Sequence, residues 1–72
     1  MIIGEWQEVI PGLYSRKGAN KTPMIGHTMV SETEQSYHFM GRYFNNLKQA
    51  KAFYDSFHIA SSYKIVEEEE GL

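Results

Sequence analysis

Three histidines are the residues best suited to acid–base or metal chemistry in this chain of 72 residues. His27 and His38 fall in stretches that alternate like strands, and His58 falls at the end of a stretch with helical spacing. None belongs to an HxH or HExxH motif, and no cysteine is present. Because a zinc site needs three or four converging ligands, we expect no metal, no cofactor, and histidines that are ordinary surface or rim residues.

Nucleophilic catalysis has no better support in the sequence. None of the serines lies in a nucleophile-elbow pattern, and Gly18 in the loop RKGANK lacks the GxxxxGK[ST] spacing of a phosphate-binding loop. Ligand pockets enclose about 300–1,000 Å3, which so short a chain can hardly enclose alone. We therefore expect no catalytic residues and a protein that is not an enzyme.

Clustered cations raise nucleic acid as one class of partner. Arg16, Lys17 and Lys21 are close in sequence, and Arg42 could lie beside them on a neighbouring strand, with tyrosines interleaved. Such a surface binds nucleic acid through phosphate contacts and base stacking. The net charge of −2 disfavours this alternative, because nucleic-acid-binding domains are usually basic. Much of the negative charge is a run of four glutamates at 67–70.

Short strands and one helix must position these residues. Alternation predicts strands at 5–10, 13–16, 23–30, 37–44 and 61–67. Pro11-Gly12 is typical of a turn or a strand break, and 13–16 resumes the first strand after it. We expect 37–44 to be uninterrupted, with Tyr37 and Tyr43 on one face. Asn45 or Asn46 caps an amphipathic helix that ends near His58, with Lys51 and Asp55 paired. The order β-β-β-α-β predicts an α+β fold, a small antiparallel sheet of about three to four strands packed on the helix.

Length and composition predict one domain at 1–66 followed by an acidic C-terminal tail at 67–72. A domain this small has marginal stability, so a homodimer is a fair expectation. The opening MIIGEWQEVIPGLY has no basic segment followed by an apolar run, and no window approaches the roughly 20 apolar residues of a membrane span. We therefore expect a cytoplasmic protein without membrane contact.

Aromatic and methionine content favours protein binding as the function. The chain has one tryptophan, five tyrosines, four phenylalanines and four methionines. Aromatic residues, Met and Arg are enriched in the cores of protein interfaces. We predict a non-catalytic module that covers a partner's surface or adds a strand at a sheet edge. Its expected anchors are Trp6, Tyr14, Met40, Arg42 and Tyr43.

The run FMGRYFNNLKQAKAFYD resembles the strand-into-helix segment of the AP2 and integrase-arm DNA-binding families, with IPGLYSRKG similar to their first strand. The matching rhythm is carried by Gly41, Phe44, Ala50, Ala52 and Tyr54. This resemblance spans about residues 11–58 and implies a three-stranded sheet backed by one helix, with Arg16 and Arg42 as DNA contacts. The layout is also similar to that of small phage-encoded inhibitors of host enzymes, so a phage or mobile-element accessory protein is a further expectation.

Overall fold

The computed structural model describes residues 2–19 and 23–67, which form seven short strands and one helix. The first three strands are β1 (Ile2–Ile3), β2 (Trp6–Ile10) and β3 (Leu13–Arg16). Next come β4 (Ile25–Met29), β5 (Gln35–Phe39) and β6 (Arg42–Phe44). The chain then forms the helix α1 (Leu47–Ala60) and the strand β7 (Lys64–Ile65).

Strands β2 to β6 form a five-stranded antiparallel sheet in which each strand pairs with its neighbour in sequence. Strands β1 and β7 pair in parallel, so the C-terminal strand lies along the segment that leads into β2. The predicted α+β class, an antiparallel sheet packed with one helix, is confirmed. There are more strands than expected, because β1 is added and because the turns at Pro11-Gly12 and Met40-Gly41 each separate two strands.

The prediction of one uninterrupted strand over 37–44 is wrong. Met40 and Gly41 both have positive φ angles, of 52° and 79°, and Phe39 pairs with Arg42 across them. Positive φ at both central residues is what a two-residue type I′ hairpin turn requires. The reversal changes the faces, because Tyr43 now pairs with His38 and lies on the side opposite Tyr37.

The helix begins where the sequence predicted. Asn46 has extended backbone angles, and its side-chain Oδ1 accepts a hydrogen bond from the backbone N–H of Gln49 at 2.8 Å. The buried residues Ala50, Tyr54 and His58 repeat every four positions and form the stripe that packs on the sheet. Within the part of the chain that the structure describes, no helix is long and apolar enough to cross a membrane.

The core lies between the helix and one face of the sheet. Phe39 is at its centre, with ring centroids 5.1 Å from Tyr54, 5.4 Å from Phe57 and 5.9 Å from Phe53. The other fully or nearly fully buried apolar residues are Ile3, Ala19, Ile25, Tyr37 and Ala50. The helix therefore covers one face of the five-stranded sheet, and the opposite face is available to a partner.

His58 is part of this core, which corrects the expectation of a surface residue. Its side chain is 1% exposed and stacks on Tyr54 at 4.0 Å, with Tyr63 against its edge at 5.1 Å. The helix continues to Ala60, and the turn after it brings the backbone N–H of Tyr63 to the carbonyl of His58 at 2.9 Å. That turn places Tyr63 over the imidazole.

Candidate partner-binding face of the sheet

One row of paired residues crosses all five strands on the face opposite the helix. We call it the open row; its members are Ile10, Leu13, Gly26, His38 and Tyr43. Residues directly opposite one another in neighbouring strands project from the same face. His38 lies between Tyr37 and Phe39, both of which point into the core, so the open row points away from the helix.

The ends of the open row are its most exposed parts. Tyr43 is 75% exposed and Ile10 is 55% exposed. At the centre, the imidazole of His38 lies flat over Gly26, where the Cβ of any other residue would collide with the ring. The rings of His38 and Tyr43 are 5.9 Å apart. The open row is therefore a flat strip, aliphatic at one end and aromatic at the other.

Met40 adds an apolar side chain at the turn next to Tyr43. It is 54% exposed, and its φ of 52° is in the left-handed region. Residues other than glycine, asparagine and aspartate rarely adopt this conformation, which costs about 1 kcal/mol or more. An exposed, apolar side chain in an unfavourable conformation is a feature that folding alone does not select.

The other predicted anchors lie on the helix side of the sheet. Trp6 is half-buried against Tyr54, with a ring-centroid distance of 4.8 Å, and Lys51 Nζ lies 5.0 Å from its ring. The guanidinium of Arg42 lies over the ring of Phe53 at 5.0 Å. The structure therefore does not bring the five predicted anchors together, because only Met40 and Tyr43 adjoin the open row.

Tyr14 also lies on the helix side, at the edge of the core. Its ring is 6.4 Å from that of Tyr37, and it pairs with Glu8 across β2 and β3. Partial burial raises the pKa of the Tyr14 phenol above its usual value of 10.0, and the negative charge of Glu8 raises it further. Tyr14 is therefore a neutral residue that closes the core beside a carboxylate.

Arg16 is held inside the fold rather than presented to a ligand. It is 4% exposed, and its Nε and Nη2 donate to the two carboxylate oxygens of Asp55 at 2.7 and 2.9 Å. Its Nη1 donates to the carbonyl of Gly4 at 2.8 Å and to Glu67 Oε1 at 2.6 Å. The hydrogen bond to Asp55 raises the pKa of the Arg16 guanidinium, while burial opposes that shift.

The four cations of the nucleic-acid alternative are not assembled into one surface. Arg16 is on β3 and Arg42 on β6, with β4 and β5 between them. Lys17 Nζ lies 2.7 Å from Glu5 Oε1, and Lys21 lies outside the described residues. Asp55 pairs with Arg16 rather than with Lys51 as predicted. Arg16 and Asp55 are 39 residues apart, so the spacing of residues within the helix could not predict their pair.

Sequence reasoning missed the open row because it missed the hairpin that creates it. The signal was present in the Met40-Gly41 step, since glycine is the preferred second residue of a type I′ turn. The first residue of the turn is methionine, which type I′ turns do not prefer, so the sequence did not indicate a hairpin between β5 and β6. With the turn placed, the pairing of His38 with Tyr43 follows from alternation alone.

Two shallow cavities are present in the described part of the chain. One, of about 280 Å3, is lined by Ile2, Gly4, Glu5, Lys17 and Val66. The other, of about 350 Å3, is lined by Thr33, Glu34, Gln35 and Asn45. Their linings include charged and hydroxyl side chains, among them Glu5, Lys17, Thr33 and Glu34.

Comparison with known proteins gives no match to a family model, to a curated protein or to a solved structure. The similarity to the AP2 and integrase-arm layout therefore stays a prediction. The five-stranded sheet has two strands more than the three which that layout implies. Function must be argued from the geometry of the open row and the charges around it.

Proposed function

We propose that this protein is a non-catalytic protein-binding module whose partner packs on the open row. The observation that carries the proposal is a row that crosses every strand of the main sheet on the face opposite the helix, with exposed apolar side chains, Ile10 and Tyr43, at its two ends. Tyr43 and Ile10 are the anchors at its two ends, and Met40 contributes at the adjoining turn.

The composition and shape of this strip suit a protein surface. Tyrosine and methionine are enriched in interface cores, and a tyrosine exposed to 75% has most of its ring to bury on binding. Four strand spacings make the row about 19 Å wide, comparable with the width of a small interface. A flat strip cannot enclose a small molecule, so a partner with a flat or extended surface fits best.

Packing on the face is better supported than addition of a strand at an edge. The edge strand β2 has a register shift between Glu8 and Ile10, where a bulge interrupts regular pairing. The other edge strand, β6, has 3 residues. Short and bulged edges are features that discourage strand addition, whereas the open row continues through paired residues across all five strands.

The residues around the open row give nucleic acid little to bind. Residues 6–14 and 23–41, which contain four of its five members and most of the main sheet, include no lysine or arginine. Phosphate contacts from such cations supply most of the affinity for nucleic acid. Protein binding is therefore the function that the geometry supports best.

Site-specific photocrosslinking tests this proposal. The chain offers a matched control, because Ile59 on the helix is 58% exposed and Ile10 in the open row is 55% exposed. Benzoylphenylalanine at position 10 or 43 should give a discrete protein adduct in lysate, and the same group at position 59 should not. Ile10→Ser should then weaken binding of the identified partner about tenfold, as expected for about 1.4 kcal/mol of lost burial.

Two crosslinking results would contradict the proposed interface. Equal adducts from positions 10, 43 and 59 would indicate non-specific contact. Adducts from position 59 alone would move the interface to the helix and contradict the proposal. Ile59→Ser serves as the control for affinity, because it removes the same side chain from a similarly exposed site.

A further inference from the structure

We infer that a second copy of this chain is the partner that packs on the open row, an inference that rests on the proposed function. The distribution of charge over the sheet, the order of side chains along the row and the size of the chain each favour such a pair. The two copies pack sheet against sheet, and their helices lie on the outside.

The open side of the main sheet carries no carboxylate, lysine or arginine. Strands β2 to β6 contain three such residues, which are Glu8, Arg16 and Arg42. Glu8 pairs with Tyr14 on the helix side of the sheet. The two arginines contact helix side chains directly. Every charged residue of the five strands is therefore on the side that the helix covers.

Two further residue pairs lie on the open side, because each contains a residue two positions from a member of the open row. They are Gln7–Ser15 and Thr28–Ser36, and all four side chains are uncharged. A charged partner therefore finds no opposite charge on this face. Two copies, which present the same patch to each other, meet there without like-charge repulsion.

The open row is complementary to itself when it is turned end for end. A twofold axis that lies in the interface along β4, the central strand, makes this turn. Tyr43, which is 75% exposed, then packs on Ile10 of the second copy, which is 55% exposed. This contact occurs twice, once at each end of the row.

The same pairing keeps the two sheets evenly spaced. One tyrosine and one isoleucine fill each end of the interface, which suits sheets packed about 10 Å apart. An axis at right angles to β4 would instead place tyrosine on tyrosine at one end and isoleucine on isoleucine at the other, so the sheets would diverge. The axis along β4 is therefore favoured.

Association of two copies also suits the size of the chain. A domain of 72 residues without cysteine has marginal stability, and burial of its uncovered face adds to it. The face is about 19 Å across and only a few residues long, so it is smaller than the about 800 Å2 per partner of a standard interface. We expect a dissociation constant of about 10–100 μM.

The purified protein tests the inference without any other partner. Sedimentation velocity should show a monomer–dimer equilibrium between about 10 μM and about 1 mM protein. Benzoylphenylalanine at position 43 should give a covalent dimer that mass spectrometry maps to Ile10, and at position 10 one that maps to Tyr43. The same group at position 59, on the exposed side of the helix, should give no covalent dimer.

A charge exchange at Thr28 tests the twofold axis. Thr28 is an exposed residue of β4, so an axis along this strand places it opposite Thr28 of the second copy. Thr28→Lys and Thr28→Glu should each weaken the dimer at least tenfold, because two like charges then meet. An equimolar mixture of the two variants should dimerise at least as well as the wild type, and this recovery requires both variants to be folded. Ile59→Lys and Ile59→Glu are the matched controls and should leave the dimer unchanged.

The outcomes distinguish a second copy from another partner. A protein that is monomeric at about 1 mM, or a dimer that is insensitive to charge at position 28, would overturn the inference. The proposed function would still stand if positions 10 and 43 gave adducts with another protein in lysate. The absence of adducts from these positions in both the purified protein and lysate would overturn both.

Discussion

Arg16 is a buried cation whose guanidinium is paired with the two carboxylate oxygens of Asp55 inside the fold. The sequence places it beside Lys17 and Lys21, as if for phosphate contact. In the structure its guanidinium donates four hydrogen bonds, two to Asp55 on the helix, one to Gly4 and one to Glu67. A buried cation costs several kcal/mol to desolvate, and only such complete pairing makes it tolerable. Arg16 therefore connects β3 to the helix and to both described ends of the chain.

Loss of the Asp55 carboxylate should destabilise the protein. Asp55→Asn removes the negative charge that pairs with the guanidinium of Arg16, whose side chain is 5% exposed. Since the Asp55 side chain is itself 27% exposed, solvent screens part of this effect, and we expect the free energy of unfolding to fall by about 2 kcal/mol. Urea denaturation measures this change.

The comparison variant at the residue scale is Glu67→Gln. Glu67 also bonds Arg16, but its side chain is 53% exposed, so its removal should cost less than about 1 kcal/mol. If both variants lost the same free energy of unfolding, Glu67 would stabilise Arg16 as much as Asp55 does. That result would contradict the expectation that the less exposed carboxylate, Asp55, contributes more.

At the scale of elements, local signals were enough for the helix and not for the sheet. The helix cap, expected at Asn45 or Asn46, and an apolar stripe through Ala50 follow from contiguous residues and were predicted. The burial of His58 in that stripe was not predicted. The pairing of His38 with Tyr43 depends on whether the chain reverses at Met40, where side-chain preference argues against reversal. Met40 and Tyr43 were therefore predicted as single residues, while the row that joins Tyr43 to Ile10 was not. The Arg16–Glu67 pair spans 51 residues and has no local signal.

The β5–β6 turn should become more stable without its methionine. Met40→Asn places a residue that tolerates positive φ at the first position of a type I′ turn, and we expect about 0.5–1 kcal/mol of added stability. The same change removes an exposed apolar side chain next to Tyr43, so affinity for the partner should fall. Thermal unfolding and the partner's dissociation constant together measure the two effects.

A turn variant on the other hairpin serves as the control. Pro11→Ala changes an exposed residue of the β2–β3 turn, where Gly12 already supplies the positive φ of 87°. It removes no residue in an unfavourable conformation and should not increase stability. If Met40→Asn left stability unchanged or lowered it, the methionine would be in a conformation that its surroundings favour, and its conformation would be no sign of function.

At the scale of the whole molecule, β7 closes the fold by joining its two ends. Lys64 and Ile65 pair in parallel with Ile2 and Ile3, and the backbone N–H of Val66 donates to the carbonyl of Ile3 at 2.9 Å. Ile3 is fully buried as a result, and Tyr63 covers His58. A chain of 72 residues has a small margin of stability, so a two-residue strand can decide whether it folds.

Two truncations test the role of β7. A chain ending at Ser62 exposes Ile3 and removes Glu67 from Arg16, which together should cost about 3 kcal/mol and lower the melting temperature by more than about 10 °C. A chain ending at Glu67 keeps β7 and the Arg16–Glu67 pair, and it should melt within about 2 °C of the full chain. Circular dichroism during heating distinguishes the two. If the chain ending at Ser62 had the same melting temperature as the full chain, the five-stranded sheet and the helix would be stable without the parallel β1–β7 pair. In that case β7 would contribute little to the stability of the domain.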